Sequence, residues 1–306
     1  MKLINPSVEI WEQDVTNPDT LVEAMWAHIA RCVRVCYQID KPKSNETEEE
    51  YVKRVIFRNP DVKEANHYSV LAHGAVYFSV EIPDDANEDC LNDYLEISSL
   101  LWGNKFTKWQ KEDTETTHIW HFSTNLRVIV EKDMLWALGY MVPFNPKWHT
   151  RRVTASFNTN IGVSREFNRH SANSPTEEST RYCNYGSDRL GNEVKFGKAA
   201  WITDMDMAWI NDVNVPSPCP AVIEYFEALA DSERHYLNLL KYGWKPEQAR
   251  EVLALATKTQ LIHTAFVDDW KHFFALRADG VSGPPHPNAE ILAKPLKDEF
   301  INRKYI

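Results

Sequence analysis

The chain has 306 residues, 43% of them hydrophobic, with 34 Lys and Arg against 44 Asp and Glu and a formal net charge of −10. That length and apolar content allow one large core or two ordinary ones, and the acidity disfavours a nucleic-acid polymer as partner, because phosphate-backbone binding needs a basic surface that releases counterions. No run of 18 apolar residues occurs and the opening stretch MKLINPSVEIWEQD lacks a charged leader before an apolar segment, so no membrane partner is expected and the predicted location is cytoplasmic.

Residues 7–13 alternate as a strand. Apolar Leu21, Met25, Ile29, Cys32, Val33 and Cys36 then recur at helical spacing and predict a helix over 18–39, capped by Asn17 or Asp19. A charged, proline-containing break at 40–49 leads into a second helix near 47–58. His67 and His73 bracket a short apolar turn before a strand at 75–82. Zinc normally takes three or four ligands, and no carboxylate or cysteine stands near this pair, so they read as hydrogen-bonding histidines at a strand entrance and no metal site is expected.

Residues 83–118 carry Pro83, the acidic DDANED, an apolar helix near 91–102 and the polar KWQKEDTETTH, and read as a peripheral insertion. The segments 119–130 and 151–159 are strand-like, separated by a helix near 131–141 and the proline-containing MVPFNPKW. A strand at 193–202 precedes an amphipathic helix over 217–241, with Ser217 as cap, Pro218 early and Gly243 as the stop. KPEQAREVLALATKTQLIHTAF then predicts a third long helix and VDDWKHFFALRAD a fourth, ending at Gly280. Strands early and helices late give an α+β class with a central mixed or antiparallel sheet and long helices. The five cysteines, Cys32, Cys36, Cys90, Cys183 and Cys219, form no CxxC pair and predict reduced thiols. Cys32 and Cys36 read as helix packing rather than nucleophiles.

The densest reactive polarity runs from Arg165 to Asp188, REFNRHSANSPTEESTRYCNYGSD. Arg169-His170, followed nine residues later by Ser179-x-Arg181-Tyr182, offers fixed cationic donors of the kind that grip a phosphate bidentately. Such a cluster holds one small anion while the net field of an acidic chain repels a polymer. No GxGxxG, GxxxxGK[ST] or GxSxG stands in a usable context, so the dinucleotide fold, the P-loop and the α/β-hydrolase lack support. Each residue also has a bland reading. Arg250 suits a helix surface, Arg277 a helix C-terminus, and Arg169 and Arg181 suit ion pairs with neighbouring glutamates.

RHSANSPTEESTRYCNYGSD resembles the signature of the flavin-dependent thymidylate synthases, written RHR, seven residues, then Ser, continuing as Ser-x-Arg-Tyr; it fits at Arg169, His170 and Ser179. RVCY at 34–37, HYSVLAH at 67–73, QAREVL and HFFALR agree in order and distance, so the likeness covers most of the chain. The resemblance implies one domain over 1–306 with the family's fold, reductive methylation of dUMP to dTMP, FAD as cofactor, and NADPH and 5,10-methylenetetrahydrofolate as co-substrates. It also implies a homotetramer whose active sites are shared between subunits.

Carried over by position, the resemblance implies that Glu166, Arg169, Glu177, Ser179, Arg181, Arg250 and Arg277 hold dUMP, with Arg277 as the catalytic residue that stabilises charge on the uracil ring. It places Cys36, Ser69, Arg169, His170, Ser171, Glu177 and His272 on the flavin side. Three positions depart from the pattern. Ser171 replaces the second arginine of RHR, Ala72 replaces the Glu of His-x-Ser/Thr-x-x-Glu-His, and Phe266-Val267-Asp268 stands where the family has Asn-x-Arg. Two of these changes remove positive charge and Asp268 adds a negative one, so contacts to flavin phosphates are expected to weaken. The alternatives are a related flavin and folate enzyme acting on another pyrimidine nucleotide, and a non-catalytic nucleotide-binding paralogue.

Overall fold

A computed structural model describes residues 2–39, 45–57, 67–83, 92–115, 117–212 and 214–306. Its strands are β1 (Lys2–Ile4), β2 (Ser7–Trp11), β3 (Ala75–Pro83), β4 (Lys108–Asp113), β5 (Thr117–Asn125), β6 (Arg152–Asn160), β7 (Ser174–Glu177), β8 (Lys195–Gly197) and β9 (Lys258–Phe266). The helices are α1 (Leu21–Tyr37), α2 (Glu48–Ile56), α3 (Asn92–Leu101), α4 (Leu126–Glu131), α5 (Ile161–Phe167), α6 (Asp204–Asn211), α7 (Pro220–Lys241), α8 (Pro246–Ala249), α9 (Val267–Arg277) and α10 (Pro287–Asn302). A four-stranded antiparallel sheet has the order β2-β6-β9-β7, a three-stranded antiparallel sheet β3-β5-β4, and β1 pairs with β8 in parallel. The class is α+β, as expected.

The four-stranded sheet is covered on both sides, and the period of two along β6 and β9 decides what each side receives. Val153, Ala155, Phe157, Leu261 and Ala265 point into a cluster with Trp270, Phe273 and Phe274 of α9 and Leu292, Leu296 and Phe300 of α10. Trp270 is fully buried and its indole N–H donates to the Val153 carbonyl at 3.0 Å, so the ring is satisfied as well as packed. The intervening Thr154, Ile262 and Thr264 face α1 and the 3-10 turn Tyr68–His73. On that side the stripe Met25, Ile29, Cys32 and Val33 is buried in a core shared with Val76, Phe78, Val80 and Phe122 of the three-stranded sheet. Gly74 opens β3 directly under α1. A Cβ there would lie 2.5 Å from Ile29 Cδ1 and 2.9 Å from Met25 Cγ, so only glycine lets the strand start so close.

Several expectations need correction. The third long helix does not exist: α8 has four residues, a 3-10 turn Arg250–Val252 follows, and after a short connection Lys258–Phe266 is β9. β9 is buried on both faces, so its apolar run lacks strand alternation and mimics a helix. The segment expected to be a strand to residue 130 bends at Asn125, whose side chain accepts from Val128 N at 3.2 Å and starts α4. The helix near 131–141 is a 3-10 turn, Leu135–Tyr140. KWQKEDTETTH supplies the edge strand β4, whose exposed positions Gln110, Lys111 and Asp113 are charged or polar as an edge requires, with Trp109 the apolar exception. The strand at 193–202 shrinks to β8. Helix α7 begins at Pro220 after Cys219, not at Ser217 with Pro218, and α10 was not anticipated because the prolines that end α9's tail also place Pro287 in its first turn. DDANED, Cys90 and the break at 40–44 lie outside the described residues. Among the described residues no helix is long and apolar enough to cross a membrane.

Phe157 is fully buried between β6, α5 and α9, touching Phe167 and Phe273. Phe157→Ala should cost about 3–5 kcal/mol in urea unfolding; a loss below about 1 kcal/mol would contradict this account of the core.

Candidate functional site

The residues singled out in the sequence gather in two groups. The first lies where α5 ends against the last turn of α9. Asn160 caps α5 by accepting from Val163 N at 2.9 Å, and the helix closes in a turn through Asn168, Arg169 and His170. α9 buries Trp270, Phe273 and Phe274, which leaves Arg277 in its final turn, where a cation is favourable, aimed at that turn. Arg277 Nη1 donates to Glu166 Oε2 at 2.9 Å, Nη2 to the Glu166 carbonyl at 2.9 Å and Nε to His170 Nε2 at 3.1 Å. Three of the five guanidinium N–H groups are thereby used and two remain.

His170 accepts through Nε2, so its proton sits on Nδ1. Burial first, then the Arg277 charge and His272, hold its pKa down to about 4. These residues, with exposed Arg169 and His272, line a polar cavity of about 480 Å³ whose opposite wall is Ser282–His286. That wall needs Gly280 at φ +67°, where a Cβ would lie 2.9 Å from both the Gly283 carbonyl and Pro285.

The second group lies on the α1 side of the sheet. Ser179 N donates to the Cys36 carbonyl at 3.0 Å, and Cys36, Ser69, Thr176 and Ser179 line an apolar cavity of about 200 Å³ with Val33, Tyr37, Ile56, Val70 and Tyr182. Burial and then the Glu177 carboxylate push the Cys36 thiol up to about 11, so it is no nucleophile. The loop that carries Ser179 is pinned from below: Lys258 Nζ reaches Glu178 Oε2 at 2.6 Å, and Tyr185 donates to Glu178 Oε1 at 3.0 Å, with the Glu178 side chain only 3% exposed.

Glu177 joins the two groups. It accepts from Thr259 at 2.9 Å and from Asn168 at 3.3 Å, while Asn168 Oδ1 accepts from His263 Nε2 at 3.1 Å. The two cavities share no lining residue.

Arg181 and Arg250 stand apart from both cavities at the surface. Arg181 pairs with Glu247 at 3.0 Å, and Arg250 approaches Thr180 at 3.5 Å and Glu251 at 3.8 Å. Ser171 is exposed. Ala72 is buried and its carbonyl accepts from Arg152 Nη2 at 2.8 Å. Asp268 is bound by Lys108 of β4 at 2.8 Å, with Lys271 at 3.4 Å, and the Lys108 contact holds its carboxyl below the ordinary range. Sequence reasoning missed Asn168, Thr176, Lys108, Lys258 and His263. Their partners are 82 residues away for Glu177 to Thr259 and 80 for Lys258 to Glu178, and no local pattern signals such pairs.

Desolvation holds His263 to about 3 and His28 and His149, like His170, to about 4. Unfolded imidazoles take up a proton near 6.5, so between that pH and about 4 the unfolded chain binds protons that the folded chain refuses, and stability falls as pH falls through this window. Urea midpoints should therefore drop between pH 7 and pH 4.5, and His263→Asn should show a shallower drop; equal slopes would contradict the burial of a neutral His263.

Residues 149–300 match the model of the family described as thymidylate synthase complementing protein. No curated protein matches the sequence. Crystal structures of a UMP/dUMP methylase, PolB, from Streptomyces cacaoi match with 5-Br dUMP bound (22% identity, 49% of this chain and 67% of that chain, TM-score 0.39) and with 5-Br UMP bound (20%, 49% and 69%, TM-score 0.38). Through residues 149–300 the chain belongs to the thymidylate synthase complementing protein family.

Proposed function

We propose that the chain is an FAD-dependent thymidylate synthase that converts dUMP to dTMP with 5,10-methylenetetrahydrofolate and NADPH. The observation that carries this reading is Arg277, fixed by Glu166 and His170 at the wall of a polar cavity with two N–H donors left over. A guanidinium held in place before the ligand arrives stabilises developing negative charge on a pyrimidine ring without reorganising. Glu166, Arg169, Glu177, Ser179, Arg181 and Arg250 are assigned to the nucleotide. Arg169, Arg181 and Arg250 are exposed or paired only at the surface, where a phosphate can exchange for a weak ion pair.

Cys36, Ser69, Arg169, His170, Ser171, Glu177 and His272 are assigned to FAD. The residues present fit it: the apolar cavity suits a flat ring, and Lys108 neutralises Asp268, the one negative charge that departs from the family pattern. FAD, when bound, supplies the reducing equivalents that complete the methyl group. The chain binds, orients and shields, and neutral His170 keeps the Arg277 side free of a competing cation.

The proposed residues divide between cavities on the two sides of one sheet, which supports sites completed by a second copy in a homotetramer. The reading also takes 1–306 as one domain with 83–118 as a peripheral insertion, of which β4 is a sheet edge, and places the protein in the cytoplasm.

Purified protein given dUMP, methylenetetrahydrofolate, FAD and NADPH should be yellow and yield dTMP. Absence of dTMP from a flavin-loaded sample sinks the reading, and product from UMP alone favours the related-enzyme alternative. Arg277→Lys keeps the charge but loses the planar fork, and should lower the rate of dTMP formation by roughly 10²–10³ with an unchanged circular dichroism spectrum. A near-normal rate would remove Arg277 from the catalytic role.

A further inference from the structure

Five buried side chains on the α1 side of the four-stranded sheet form one unbranched line of hydrogen bonds. His28 Nε2 meets Thr154 Oγ1 at 2.9 Å, Thr154 Oγ1 meets Thr264 Oγ1 at 2.7 Å, Thr264 Oγ1 meets His73 Nδ1 at 2.7 Å, and His73 Nε2 meets Thr176 Oγ1 at 2.8 Å. All five are buried, between 1% and 6% exposed. Thr176 borders the apolar cavity that holds Cys36, Ser69 and Ser179. At the other end, His28 and Arg152 line a cavity of about 20 Å³ that Thr154, Thr264, His73 and the surface residue Glu12 also border. Arg152 Nε lacks a hydrogen-bond partner among the described residues, and His28 has only the Glu12 backbone beside it on its Nδ1 side, without a hydrogen bond of normal geometry. That space admits one water with polar neighbours to hold it.

Every member of the line is a neutral imidazole or a hydroxyl, each able to donate and to accept. Burial above all keeps both histidines neutral, with smaller contributions from Arg31 and Arg152 at His28 and from Arg152 at His73. If His73 carries its proton on Nδ1, it donates to Thr264; Thr264 donates to Thr154, and Thr154 donates to His28 Nε2, so His28 must carry its proton on Nδ1. If His73 carries its proton on Nε2, every bond reverses and His28 is protonated on Nε2. A mixed pair would leave a buried donor or lone pair unmet. The two histidines, although 45 residues apart in the chain, share one tautomeric state.

We propose that this line is a proton relay between the Cys36–Ser69–Ser179 cavity and the water site beside His28, with Thr176 as its terminal group. In the outward step Thr176 takes a proton from an acid in the cavity and gives its own to His73 Nε2. His73 passes its Nδ1 proton to Thr264, Thr264 passes one to Thr154, and Thr154 passes one to His28 Nε2. His28 releases its Nδ1 proton to a water in the small cavity, which hands it on to solvent past the exposed Glu12. One proton enters, one leaves, no net charge stays in the core, and the line is left in its reversed state, ready to return a proton. The tautomer rule stands by itself; the catalytic use of the relay rests on the thymidylate synthase reading.

The test uses histidine-¹⁵N-labelled full-length protein and turnover of dUMP in H₂O and D₂O. Long-range ¹H–¹⁵N spectra of the wild type should show His28 and His73 in the same tautomer, or in the same ratio of tautomers. Thr264→Val, which keeps the shape and removes the link, should let the two ratios diverge, and Thr264→Ser should bring them back together. Thr176→Val, which alters only the cavity end, should leave the ratios matched. Both valine variants should lower kcat by about 10²-fold and reduce the solvent isotope effect, with KM for dUMP little changed.

Opposite tautomers in the wild type overturn the line itself. Matched tautomers with an unaltered isotope effect in both valine variants overturn the relay and leave only a structural network. If the wild type makes no dTMP, the thymidylate synthase reading fails, while the spectra still decide whether the line is continuous.

Discussion

Strand β9 is the constraint on which the rest depends. It pairs over nine residues with β6, from Lys258 opposite Asn160 to Phe266 opposite Arg152, and over Leu261–Thr264 with β7. Both faces are buried, so Leu261, His263 and Ala265 must serve the α9 side while Ile262 and Thr264 serve the α1 side. A register slip of one residue would exchange these sets, placing His263 against α1 and Thr264 among the phenylalanines. The strand also sets the functional loop: its first residue, Lys258, grips Glu178, and the Gln260 carbonyl accepts Glu178 N at 2.8 Å.

Two charge pairs that position the candidate site are each compensated by close partners. Lys258 with Glu178 and Arg277 with Glu166 are short contacts with further hydrogen bonds to the same groups, which is the condition under which a buried pair withstands its desolvation cost. Arg152 is a less complete case. Burial lowers its pKa to about 10, its Nη2 reaches the Ala72 carbonyl and its Nε stays without a protein partner. Asp268 illustrates compensation at the surface: it stands where the family has an arginine, and Lys108, from the segment read as an insertion, supplies the cation.

The polar residues of the α1 side form a layer inside an otherwise apolar core. Thr154, Thr176, Thr264, His28 and His73 satisfy one another in series, so a hydroxyl there is part of a network and not a substitute for valine. Such networks specify one arrangement because each partial alternative leaves a buried polar atom unmet. This fixes where α1 and the 68–73 turn sit over β7 and β9, and with them the position of Cys36 and Ser69 relative to Ser179.

Local pattern was enough for some of this. The stripe of α1, the strands at 7–11 and 152–160, the helix α7 and the run of α9 to Arg277 follow from spacing, caps and glycine stops that act within a few residues. So does the concentration of arginine, histidine and glutamate at 165–188, and with it the family. β9 was not legible, because a strand buried on both faces has lost the alternation that distinguishes it from a helix. The site's geometry was not legible either. Glu166 meets Arg277 across 111 residues and Glu178 meets Lys258 across 80. Identity and order of the motif residues belong to the sequence by itself; their division between two cavities, and the line from His28 to Thr176, were decided only when sheet register brought distant side chains within hydrogen-bonding distance.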